Sequence, residues 1–333
     1  MQREILRRGF IFVLIVLCSV PGWVGWANAA EERAKFPAKT ITFIVPTSPG
    51  GGFDTNTRLL APFLRKNLPG EPNVVVKNVP GAAWRLGVME MVKSKPDGNT
   101  VCIFNIPGNV VDQVTGLAEY DLTKVAWIGN ITGTFMVTAL SPKSKVRTLE
   151  DLRKTPNLKT GVVGLSSTAS LSTLIAADEM GFKVKPINYD GSTEALLSAI
   201  RGDTDLVTFN FPSIKRFIID SKELIPFVVY SKERLKELPD TPTIGEMGYE
   251  KLLEVVGLDN MVGAPPGTPG DVMKVWRDAF DKALVDPEYQ KMIRNQLKHE
   301  PTPLNGDQTA QKINTYFKTY AKYKNLIMQY TTK

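Results

Sequence analysis

From Thr40 onward the chain exchanges two hydrophobic patterns. Short runs of β-branched and aromatic residues are separated by longer stretches in which apolar residues recur every three or four positions. The first pattern predicts strands and the second amphipathic helices, and their regular exchange predicts an α/β chain. "TITFIVP" (40–46) reads as a strand, and Asp54 to Lys66 carries a helical stripe of Leu60, Phe63 and Leu64. Pro62 inside that stripe predicts a kink or a cost of about 3 kcal/mol. "NVVVKNV" (73–79) is a second strand, "AAWRLGVMEMVKSK" a helix, and "TVCIFN" (100–105) and "MVTALSP" (136–142) two further strands.

The pattern then restarts. "TLEDLRK" predicts a short helix, "KTGVVG" a strand, and "LSTLIAADEMG" a helix with Leu171, Leu174 and Ile175 on one face. "KPINY" leads into "STEALLSAIRG", whose face is Leu196, Leu197 and Ile200; Gly181 and Gly202 act as helix stops. "LVTFNF" and "LIPFVVYS" are strands. The C-terminal third is helical: Val272, Trp276, Phe280 and Leu284 mark one helix, Asp286 and Pro287 open the next, and Ile313, Phe317, Tyr320 and Ile327 stripe a last one.

The first thirty residues follow a different rule. Arg3, Arg7 and Arg8 precede the apolar run "FIFVLIVLCSV", and Ala27-Asn28-Ala29 has the small residues of a cleavage site. This is the build of a secretory signal peptide, 1–29, and the run is too short for the roughly twenty residues of a membrane span. "RRGF" leaves both the twin-arginine and the general secretory routes open. Cleavage removes three arginines and Glu4 from 41 basic and 34 acidic residues, so the remaining 304 of the 333 residues carry a formal charge of +5. That excess is spread along the chain without a basic block interleaved with aromatics, so no nucleic acid is expected.

Scarcity of reactive side chains narrows the chemistry. Cys102 is the only cysteine after residue 29, which excludes an intrachain disulfide, and His299 is the only histidine. A zinc site, a Ser-His-Asp triad and a Cys-His pair each need groups that are missing here or would all fall on His299. No metal, cofactor or enzymatic activity is expected.

One arrangement occurs three times: a strand, a short loop of small residues, then a helix. It is seen in "IVPTSPGGGFD", "VVGLSSTAS" and "NYDGSTEA". Unpaired N–H groups and the positive end of a helix dipole favour an anion at such a start, and open α/β sheets hold ligands at that edge. A tight turn with Asp54 as N-cap, and Ser192 and Thr193 as ordinary N-cap residues, is the competing view of the same loops. "PGGGFDTNTR" is neither a P-loop nor a dinucleotide fingerprint, since no GK[ST] and no GxGxxG is present.

"ITFIVPTSPGGGFDTNTRLLAPFL", "VVVKNVPGAA", "KPDGNTVCIFN", "NYDGSTEALLSAIRGDTDL", "DTPTIGEMGYE" and "GAPPGTPGDVMKVWRDAFDKALVDPEYQKMI" follow one another here in an order that resembles a known family. It is the solute-binding proteins of tripartite tricarboxylate transporters, the Bug or TctC-like proteins. The resemblance implies a two-lobed periplasmic-binding-protein (flytrap) fold with two crossover hinge strands, near Met136–Ala139 and Gly257–Met261. Lobe 1 would be 33–138 plus 258–333 and lobe 2 139–257.

Carried over onto this sequence, the resemblance implies a carboxylate held by Thr47, Ser48, Gly50, Gly51, Gly52, Phe53 and Asp54 in the first loop. Asn78 would sit beside it. From the second lobe come Gly164, Ser166, Ser167 and Thr168, and Tyr189, Gly191, Ser192 and Thr193. Asp54 would cap its helix or meet a donor on the ligand, and Tyr189 would wall the cleft or sit in the core.

The sequence departs from the family at "PGAAWRLG", where Trp84 and Arg85 replace small residues. They would either face the cleft as an aromatic surface and a second anion contact, or pack elsewhere. The resulting expectation is a monomeric periplasmic binding protein that delivers a small organic anion to membrane permease subunits. A ligand-sensing subunit for a membrane receptor and an enzyme on an anionic substrate remain as alternatives.

Overall fold

The structure is a computed structural model, which describes residues 36–164, 167–297 and 300–331. The expected signal peptide, Ser166 and His299 lie outside the described residues.

Two sheets organise the chain. It opens with β1 (Thr40–Val45), α1 (Gly52–Asn67), β2 (Asn73–Asn78), α2 (Arg85–Val92), β3 (Thr100–Ile106), α3 (Gly108–Val114) and β4 (Ala126–Thr134). There follow β5 (Met136–Leu140), α4 (Leu149–Lys154), β6 (Leu158–Val162), α5 (Thr168–Met180), β7 (Val184–Asn188), α6 (Ser192–Arg201), β8 (Leu206–Asn210), α7 (Phe211–Lys215) and β9 (Ile225–Val229). The chain ends with β10 (Leu258–Ala264), α8 (Gly270–Val285), α9 (Pro287–Leu297), β11 (Leu304–Asn305), α10 (Gly306–Lys322) and α11 (Lys324–Thr331). The first sheet has the order β11-β4-β10-β3-β1-β2 and the second β7-β6-β8-β5-β9.

The register of the crossing strands sets the geometry of everything else. β4 ends at Thr134 and β5 begins at Met136, so the chain changes sheets at Phe135, just ahead of the expected crossing, and Met136–Thr138 belong to the second sheet. The return strand β10 starts beside the same point, with Leu258 opposite Thr134 and Asp259 opposite Ile106. The crossing therefore lies at the C-terminal edge of β3, and of β1 and β2, which are linked to it in parallel. In the second sheet Met136 pairs with Asn210, so β5 enters at the C-terminal edge of β8 and of its parallel partners β6 and β7. The loops after β1, β2 and β3 and those after β6 and β7 thus lie on the edges where the two sheets are joined.

Burial explains the sequence pattern. In β1, Ile41, Phe43 and Val45 face a core built with Leu60, Leu64, Trp276, Phe280 and Tyr289, whereas Ile44 faces the opposite core with Val88, Met91 and Phe104. A parallel strand covered on both faces reads as a continuous apolar run, as "ITFIV" does. Pro62 leaves α1 unbroken from Gly52 to Asn67. Its side chain and that of Arg58, whose carbonyl loses its N–H partner, both lie on the exposed face, where water can serve that carbonyl.

Three departures from the pattern have a clear physical cause or consequence. β4 was not foreseen, because "AWIGNITGT" carries two glycines that weaken a strand signal. Gly129 is needed there for close approach: a Cβ would stand 2.4 Å from Phe280 Cε1 and 2.8 Å from Leu304 O. The last predicted helix is two, α10 and α11, separated at Tyr323, so Ile327 belongs to the second. In α6 the buried face is Ala195, Leu196 and Ala199, with Leu197 exposed.

Gly129→Ala should lower stability by about 1–3 kcal/mol through overpacking against Phe280. Gly51→Ala, where a Cβ meets nothing within 4 Å, should leave it unchanged. Urea unfolding of the two variants checks the contrast.

Candidate functional site

The first glycine loop joins β1 to α1. Gly50 has φ +88°, a left-handed conformation that favours glycine, but Gly51 sits at φ −76° and Gly52 is already helical. A Cβ on any of the three would meet no atom within 4 Å. Neither backbone conformation nor packing therefore requires glycine at 51 or 52. Gly51 is the N-cap of α1, displacing Asp54 from the expected position, and no side chain caps the helix. Its first N–H groups have no intrahelical acceptor. The loop thus presents bare backbone donors to open space.

Asp54 holds that loop in shape. It lies in the first turn of α1, is 3 % exposed, and its carboxylate accepts the Gly50 N–H at 2.9 Å. Arg58, one turn on, donates Nε to both carboxylate oxygens at 3.0 Å, and Asn78 Nδ2 donates at 2.9 Å. Asn78 also donates to Thr47 O at 3.0 Å and accepts from Arg58 at 2.8 Å. Burial opposes ionisation of Asp54, but the bonds from Arg58, Gly50 and Asn78 prevail and keep its carboxyl below the usual range. The carboxylate is engaged by the protein through these bonds, so it holds the loop and does not cap the helix as expected. Beside it the Thr47 hydroxyl is buried with no hydrogen-bond partner among the described residues, and Ser48 is exposed.

Trp84 and Arg85 come next along this edge. Gly81 (φ +132°), Ala82 (+47°), Ala83 (+50°) and Trp84 (+81°) form a run of positive φ that ends in α2. The Trp84 ring meets Phe53 edge-to-face, with centroids 4.2 Å apart. Arg85 turns to Asp112, Nη1 lying 3.4 Å from Oδ1 of a carboxylate that is almost fully buried. Burial pushes the Asp112 carboxyl up to about 6, against the pull of Arg85 and of the Tyr120 hydroxyl.

From the second lobe, Ser167 caps α5 through the Ser170 N–H at 3.2 Å, and Gly164 (φ +70°) donates its N–H to Asn188 Oδ1 at 2.6 Å. Thr168 Oγ1 donates to Asn105 Oδ1 at 2.9 Å, a bond that joins α5 to the end of β3 across the two sheets. At α6 the N-cap is Gly191 rather than Ser192 or Thr193, no side chain caps it, and both of those residues are exposed. Tyr189 is half-buried and packs against the core around Ala195 and Phe209.

Thr47, Gly50–Asp54, Asn78 and Trp84 therefore form one connected group, and Thr168 is tied to the same edge through Asn105. Asn105 and Arg58 were missed from sequence. Their signals were present: Asn105 lies at the C-terminal end of the third strand, one residue before its last, and Arg58 lies four residues after Asp54 on one helix face.

A separate cavity of about 850 Å³ opens beside the crossing strands, lined among others by Phe135, Leu235, Leu258, Lys312 and Tyr316. Cations on its wall are largely paired, Lys215 with Glu237, Arg294 with Glu300 and Lys312 with Asp259. It shares no residue with the glycine loops. Among the described residues no cluster of His, Cys, Asp and Glu could hold a metal ion.

Comparison with known proteins finds relatives along most of the chain. Residues 57–331 match the model of the tripartite tricarboxylate transporter family receptor. Protein BugT of Bordetella pertussis is 28 % identical over 260 residues, covering 75 % of this chain and 77 % of its own. A TctC solute-binding protein from Polaromonas, solved without ligand, superposes with a TM-score of 0.73 at 23 % identity, covering 88 % of this chain and 99 % of its own. MatC from Rhodopseudomonas palustris, solved with bound malate, superposes at 0.69 with 20 % identity, covering 88 % of this chain and all (100 %) of its own.

Asp54→Ala should destabilise the protein by about 1–3 kcal/mol, because the Gly50 N–H and the Asn78 amide lose their acceptor; chemical denaturation measures it. A carboxyl that ionises near 3.9 in the unfolded chain and near 6 in the fold favours folding only while protonated. The Asp112 contribution to stability should therefore fall as pH rises from about 4 to about 6, by about 3 kcal/mol in all. Melting curves across that window should show Asp112→Asn with a flatter profile than the wild type.

Proposed function

Because this chain belongs to the tripartite tricarboxylate transporter receptor family, and is thus a solute-binding protein of the periplasmic kind rather than an enzyme, we propose that it captures a small organic carboxylate and hands it to membrane permease subunits. The observation that carries this reading is the uncapped start of α1, where Gly51 and Gly52 leave backbone donors bare although neither φ nor packing asks for glycine. Oriented N–H groups at a helix start, next to the unpartnered Thr47 hydroxyl, favour an anion. The carboxylate sits between this loop and the starts of α5 and α6, at Gly164–Thr168 and Tyr189–Thr193. Asp54 stays with Gly50, Arg58 and Asn78 and holds the loop rather than the ligand.

The lobes, divided close to the 138/139 and 257/258 junctions, close by bending where the chain crosses between sheets. Closure buries the ligand's charge among donors and exposes a new outer shape to the permease. Residues 1–29 act as a cleaved leader to the periplasm, and the mature chain works as a monomer without a cofactor.

Purified protein, unfolded and refolded to strip any ligand, is melted against malate, adipate, citrate and a set of amino and aromatic acids. At a hundred times its dissociation constant an acid adds about 2.7 kcal/mol of stability and a readily measured rise in Tm. Gly51→Val should keep the unliganded Tm and lose that rise, since its side chain enters only the space before the loop. Undiminished binding by Gly51→Val would reduce the loop to a turn.

A further inference from the structure

Phe53 and Trp84 occupy a place that the carboxylate reading leaves unexplained. Phe53 is the second residue of α1, on one face of the first sheet, and Trp84 precedes α2 on the other face. Both helices start at the C-terminal edge of β1 and β2, so the two rings meet over that edge, beside the bare backbone of Gly51 and Gly52. Both residues are only half-buried.

The backbone under Trp84 is costly to form. Ala82, Ala83 and Trp84 all have positive φ, which non-glycine residues rarely adopt, and a bulky aromatic there is the least suited of the three. Such strain persists where the surroundings over-determine it, and it gathers at ligand sites. Here the surroundings are visible. Arg85 is tied to Asp112, and α2 is seated so closely on the first loop that a Cβ on Gly87 would stand 2.8 Å from Pro46 Cβ. The ring of Trp84 is placed by its neighbours in a position that glycine would occupy with less strain.

We propose that Phe53 and Trp84 form the wall that recognises the body of the ligand, and that the acid is an aryl carboxylate. This rests on the glycine loop binding the carboxylate. An aromatic ring meets such a wall by stacking or edge-to-face contact, whereas a short hydroxylated acid leaves it bare and wet. Arg85 contributes by position, through Asp112, and makes no contact with the acid.

Calorimetric titration of the stripped protein with benzoate, phthalate, malate and adipate tests the proposal. The wild type should bind one of the aryl acids at least about tenfold more tightly than either aliphatic acid. Trp84→Gly, which accepts φ +81° without strain, should lose about tenfold for the aryl acid and under about threefold for adipate. Trp84→Phe should keep most of the aryl affinity. Preference of the wild type for malate or adipate would overturn the aryl class and leave the carboxylate reading standing. Unchanged aryl affinity in Trp84→Gly would show that the two rings serve only each other. Failure of all four acids to bind, from a folded sample, would overturn this proposal, and failure across the wider acid panel as well would overturn the reading beneath it.

Discussion

The buried carboxylate of Asp54 is the point on which the rest of the site depends. It binds the Gly50 N–H behind it, Arg58 one turn ahead and Asn78 from the neighbouring strand. A glycine-rich loop is entropically loose by nature, and on the proposed reading its donors have to be held before an anion arrives. One side chain with several acceptor positions does this by tying the loop, the helix and β2 to a single point. The negative charge of Asp54 is matched by Arg58 and by the dipole of α1.

The two sheets divide the remaining work. The first carries the glycine loop, Asn78 and the aromatic pair, and the second brings the starts of α5 and α6. They are joined by one residue in the outward direction, Phe135, and by the start of β10 on the return. Thr168 and Asn105 already bond across the gap. Both crossings lie side by side at the edges that carry the loops.

Much of the arrangement was legible in the residues. The strand–loop–helix repeats, the glycine stops of α5 and α6, and the strand β1 follow from local rules that act over a few residues. The failures share a cause. β4 is written with glycines because Phe280, far along the chain, presses against Gly129. Asn105 is marked in sequence only by its place near the end of a strand, and it meets Thr168 only when α5 is laid beside β3. Arg85 was left open between an anion contact and packing elsewhere, and the fold turns it to Asp112, which sits buried 27 residues away in sequence.

By itself the sequence determined the α/β class, the alternation that builds two sheets, the absence of histidine and cysteine chemistry, and the resemblance that points to a binding protein. Those properties depend on composition and on spacing within a strand or a turn of helix, which are fixed in one dimension. The tertiary structure alone decided that Gly51 and Gly52 border open space, that Asp54 is spent on the loop, and that Phe53 and Trp84 meet above the sheet edge. Each of these depends on which distant groups a side chain encounters, and only the folded chain brings those groups together.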